Sequence, residues 1–114
     1  MKTFVLLVAL LVAIPTKAQD LLVRVRAIHV TETDFCANCT ATNIHPSYWT
    51  IYEAKVKHVI KGHLDEKTIH FAFAQGEQYT PKALKHLVVF LRPASPWLRE
   101  QFHVDYEASE VGFN

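Results

Sequence analysis

The stretch SYWTIYEAKVKHVI, residues 47–60, sets the fold class. Tyr52, Ala54, Val56, His58 and Ile60 alternate with Glu53, Lys55, Lys57 and Val59. A period of two buries one side of a strand and leaves the other in water. Lys61-Gly62-His63 then turns the chain, and Asp65-Glu66-Lys67 keeps the connection polar. Thr68 to Ala74 reads as the next strand, with Ile69, Phe71 and Phe73 inward. Upstream, Leu21 to Thr31 is a strand with Val23, Val25 and Ala27 on one face and Arg24 and Arg26 on the other. Ile28 and Val30 continue the arginine parity, so the strand must bulge or curve from one sheet face to the other. Glu32 to Pro46 is polar and reads as a loop.

Downstream, Thr80-Pro81 is a helix-start signal, and Lys82 to Lys85 gives that helix about one turn. The run His86 to Leu91 is apolar and β-branched in its middle, which predicts a buried strand ended by Pro93 and Pro96. Phe102, Val104 and Tyr106 mark a last strand. The expectation is a mainly β domain, a small five-stranded Greek-key barrel of the OB type with one short helix between strands 3 and 4. An open antiparallel sheet or a small sandwich is the alternative.

Residues 1–18 read as a secretory signal peptide. Lys2 gives the positive start, Phe4 to Ile14 an apolar run of 11 residues, and Thr16-Lys17-Ala18 the cleavage site. Eleven residues rise only about 16 Å as a helix, against a hydrocarbon core of about 30 Å, so this run does not span a membrane. Residues 19–114 then form a single exported domain, in the bacterial periplasm or outside the cell. Without Lys2 and Lys17 the charge of +1 becomes 10 basic against 11 acidic residues, or −1. Such a balance gives no general attraction to nucleic acid or anionic lipid.

Tyr52 to Gly62 (YEAKVKHVIKG), Ile69 and the HLVVFL run at His86 to Leu91 resemble the netrin-like OB module. That module occurs in the tissue inhibitors of metalloproteinases and in exported bacterial proteins. The resemblance covers roughly the middle half of the exported chain and implies the barrel. The inhibitors begin with a zinc-chelating cysteine, whereas here Gln19-Asp20 stands at the expected start. The resemblance therefore implies no inhibitory residues.

Cys36-Ala37-Asn38-Cys39 is the one motif with chemistry in it. In an oxidising compartment a disulfide is its first reading. A redox pair would need a following helix to stabilise a thiolate, and Thr40 to Pro46 is β-branched and proline-stopped. Zinc would need four ligands, and Cys36, Cys39 and His45 supply three. Free thiols are the remaining alternative. Asn38-Cys39-Thr40 also matches a glycosylation sequon, which counts only in a eukaryotic secretory pathway. The seven histidines (His29, His45, His58, His63, His70, His86 and His103) are dispersed in sequence. No serine–histidine–acid signature, phosphate loop or cofactor motif occurs.

Tyr48, Trp49, Tyr52, Tyr79, Trp97 and Tyr106 are candidates for a recognition face, part of which must be core. Trp97, held at a barrel end by a loop from Pro93, is the best candidate anchor. The sequence thus points to an exported, non-enzymatic binding or accessory module for a protein or glycan partner. A thiol–disulfide oxidoreductase and a metal-binding protein are its competitors.

Overall fold

The computed structural model describes residues 20–39 and 46–113. The signal-peptide reading, His45 and the sequon threonine lie outside them. Five strands close a barrel in the order β1-β2-β3-β5-β4, as expected for the OB type. They are β1 (Leu21–Cys36), β2 (Tyr48–Lys61), β3 (Thr68–Gln75), β4 (Leu87–Pro93) and β5 (Tyr106–Phe113). Neighbours are antiparallel except β3 and β5, which meet in parallel over Phe71–Tyr106, Ala72–Glu107 and Phe73–Ala108.

The interior is filled by alternate residues of the five strands. Val23, Val25, Tyr52, Ala54, Ile69, Phe71, Leu87, Val89 and Leu91 are buried there. The expected one-turn helix is α1 (Pro81–Leu84), between β3 and β4. Thr80 caps it by accepting from the Ala83 amide at 3.2 Å, and Leu84 packs against the core. Gly62 turns the chain after β2 at φ +94°, where a side chain is strained.

The bulge expected in β1 is present. Ala27 pairs with Ala54 and His29 with Glu53, so Ile28 is an extra residue, and it is exposed. Two more irregularities fall on β2. Val25 pairs with Val56 and Arg24 with His58, which leaves Lys57 extra; Ile60 is extra in the same way. The inward parity expected for His58 and Ile60 is therefore lost, and both are exposed.

Two strand boundaries and one helix differ from expectation. β1 continues past Thr31 to Cys36, because Glu32 and Cys36 still pair with Thr50 and Tyr48. Phe102 and Val104 do not belong to the last strand, which begins at Tyr106. A second helix, α2 (Pro96–Phe102), occupies the segment instead. Ser95 caps α2 by accepting from the Leu98 amide at 3.4 Å, Pro96 opens it, and His103 ends it in the left-handed region at φ 57°. Leu98 anchors the helix to the outside of the barrel in a second core with Ala72, Ala94 and Val104, flanked by Trp49, Ile51 and Phe102.

Candidate recognition surface

Trp97 is the second residue of α2 rather than part of a loop. Its neighbour Leu98 turns into the second core, which leaves the indole 48% exposed on the helix's outer side. Phe35, 43% exposed, stands against it from the far end of β1. Phe102 completes the group. The ring centroids lie 5.9 Å apart for Phe35–Trp97, 5.4 Å for Phe35–Phe102 and 5.5 Å for Trp97–Phe102, all edge to face.

Phe35 reaches this place through an irregular strand end. Between the Glu32–Thr50 and Cys36–Tyr48 pairs, β1 has three residues where β2 has one. Such an insertion re-aims side chains. Thr33 holds it together: its hydroxyl donates to the Trp49 carbonyl at 2.6 Å and accepts from the Phe35 amide at 3.2 Å.

The cysteines sit directly behind Phe35. Cys36 and Cys39 lie at disulfide distance, with Cα atoms 5.6 Å apart. The Ala37 amide donates to the Ser47 carbonyl at 2.8 Å, and the Ser47 amide donates to Asn38 Oδ1 at 2.6 Å. Cysteine pair and crossed hydrogen bonds together fix the base of the β1–β2 connection. Cys36 is the last residue of a strand, and the described residues after it, 37–39, form no helix whose amides would activate a redox thiol.

The remaining aromatic candidates divide. Tyr52 is fully buried and stacked on Phe71 at 4.8 Å. Its hydroxyl donates to Gln75 Oε1, and the Gln75 amide donates on to the Glu77 carbonyl. Burial, reinforced by nearby Tyr79 and opposed by the Gln75 hydrogen bond, raises the Tyr52 phenol above its ordinary range. Burial likewise raises Tyr79, and it raises Tyr106 together with the charges of Glu66 and Asp105. Trp49 is half-buried beneath α2, and Tyr48 is exposed.

Two of the histidines meet at one carboxylate. His29 and His70, on the strands either side of β2, lie 3.8 and 3.1 Å from Glu53. Among the described residues no group of three or more histidines, cysteines or carboxylates is placed to hold a metal ion. Nor is any helix among them long and apolar enough to cross a membrane.

Phe35 and Phe102 were not among the sequence candidates. Phe35 adjoins the cysteine pair, and its chance of being presented was the available signal. Phe102 was hidden by an alternation with Val104 and Tyr106 that a strand would also produce. The chain matches no protein-family model, no curated protein and no solved structure.

Proposed function

We propose that this barrel is a non-catalytic binding module of an exported protein, and that it engages a protein partner through Phe35, Trp97 and Phe102. The observation that carries the reading is the aromatic group itself. Two large rings stand nearly half exposed, held in place by a third, by the cysteine-bound strand end and by a helix anchored through Leu98. Rigid aromatic side chains on a supported surface are the usual anchors of protein interfaces. The rings cross at 68–87°, so they form a knob rather than the coplanar platform that would stack on a sugar or a base.

The position fits the architecture. OB barrels bind ligands on the β2–β3 face and on the loops that join β1 to β2 and β4 to β5. Here α2, which belongs to the β4–β5 connection, covers Trp49 and Ile51 on that face. The contact surface passes to the outer side of the helix and to the neighbouring end of β1. A pair of cysteines at disulfide distance is compatible with export, and its part in this reading is to fix Phe35. The netrin-like resemblance adds the barrel and no ligand.

A photoreactive benzoylphenylalanine at position 35, introduced in the organism that makes the protein, tests the reading. A discrete protein adduct that Trp97→Ala abolishes, and that the same probe at position 110 does not give, is the expected result. Identical adducts from both positions overturn it. So does binding to a glycan array that disappears in Trp97→Ala, because the partner is then a saccharide.

A further inference from the structure

The sheet carries like charges opposite each other at the end away from the aromatic group. Across the β1–β2 ladder Arg24 faces His58 and Arg26 faces Lys55. The Arg26–Lys55 juxtaposition destabilises a sheet, and Arg26 borders a cleft of about 440 Å³. Four of the ten lysines and arginines beyond residue 18 line that cleft: Arg24, Arg26, Lys57 and Lys85. His58 and His86 complete the polar wall, and Val25 and Leu87 are its buried apolar floor. None of these eight residues is acidic, although the exported chain as a whole carries a slight negative charge.

Backbone irregularity builds this concentration. Lys57 is the extra residue of a β2 bulge. In a regular strand Lys57 and His58 would point to opposite faces, yet both line the cleft. The third wall arises where β1 parts from β4. Their pairing ends at Val25–Leu87, and Lys85 and His86, between α1 and β4, stand at that parting. Three separate segments therefore bring cations to one concave place, which focuses positive potential there.

We propose that this cleft is an anion site for a compact ligand bearing two or more phosphate groups, either free or as a lipid headgroup. Guanidinium forks suit the oxygens of phosphate, and lysines supply point charge. The volume is that of a small-molecule site, and a single concave cluster suits a compact anion better than a long polymer, which would need a stripe. Along β2 the cleft is eight residues from Trp49, or about 26 Å at 3.3 Å per residue, so this site and the aromatic knob stand or fall separately.

Calorimetric titration of the full chain with inorganic pyrophosphate tests the site. One saturable site is expected, weakened roughly tenfold by Lys57→Gln or Lys85→Gln, since each removes a charge-assisted contact. Lys57→Arg retains binding, and Arg99→Gln, on α2 and remote from the cleft, leaves it unchanged. Phosphatidylcholine vesicles with and without cardiolipin, a lipid with two phosphates, identify the source. Capture by the cardiolipin vesicles, reversed by pyrophosphate, assigns a lipid headgroup; pyrophosphate binding without capture assigns a free ligand. Absence of saturable binding in both formats overturns the proposal, as does equal weakening by Arg99→Gln.

Discussion

Phe35 meets Phe102 edge to face with ring centroids 5.4 Å apart, joining the far end of β1 to the last residue of α2. A strand end and a surface helix, distant in sequence, are thereby locked into one surface.

That lock separates the roles of two aromatic residues. Phe35→Ala removes two edge-to-face contacts, each worth about 0.5–1.5 kcal/mol beyond area burial. Its urea midpoint should fall by an amount matching about 1–2 kcal/mol, reduced for exposure. Trp97→Ala also removes two such contacts and should cost about as much as Phe35→Ala, while removing the greater share of partner binding. A Trp97→Ala protein that keeps more partner binding than Phe35→Ala would contradict this division.

Oxidised protein from its native compartment should weigh about 2 Da less than the reduced form, the mass of the two hydrogens lost on pairing Cys36 with Cys39. Closing so short a loop is worth about 2 kcal/mol in the chain-entropy account. A Cys36→Ser, Cys39→Ser double variant should therefore remain folded, with a lower urea midpoint and a changed Trp97 fluorescence. Two free thiols in protein from an oxidising compartment would remove the clasp from the account.

Leu98→Ala should cost about 2–5 kcal/mol, the range for emptying a buried leucine site. Because Leu98 is the buried residue of α2, the loss should be local before it is global. Trp49 would become hydrated, and fluorescence would shift to the red below the main unfolding transition. A variant that unfolds in one step with unshifted fluorescence would show that α2 does not depend on this contact.

Tyr52 predicts the alkaline behaviour. Its folded phenol ionises above the ordinary value of 10.0, chiefly because it is buried. Above pH 10 the unfolded chain therefore loses this proton first, and stability falls as pH rises toward the folded value. Urea unfolding at pH 8 and pH 11 should show the fall, and Tyr52→Phe should flatten it. At pH 8 the same variant should lose about 1–3 kcal/mol by leaving Gln75 Oε1 without its donor. An unchanged alkaline slope in Tyr52→Phe would assign the effect to other groups.

The barrel could be read from the sequence because its strands keep their periods where it matters. Tyr52, Ala54 and Val56 alternate cleanly, and Leu87 to Leu91 is apolar enough to be buried whatever pairs with it. Even the β1 bulge showed, as a change of parity at Ile28. The second helix carried the same signal as the first, since Ser95-Pro96 repeats Thr80-Pro81. Two nearby prolines read as breakers, and Phe102, Val104 and Tyr106 imitated a strand. The bulge at Lys57 gave no sign, because Lys57 already occupied an outward position and the shift exposed His58 instead. The aromatic knob and the basic cleft are long-range constructions, and pairing register, which one strand's pattern does not specify, brings their residues together.

Three residue pairs between β3 and β5 hold the barrel shut. Every other junction is antiparallel and longer, and parallel pairing is slightly weaker per residue. The molecule is mechanically a band fastened at one short seam. Tension applied between β3 and β5 parts it there first and leaves an open five-stranded sheet in the order β3-β2-β1-β4-β5. Within Phe71–Phe73 and Tyr106–Ala108, the alternate amides that bridge β3 and β5 are then the first core positions to exchange with solvent.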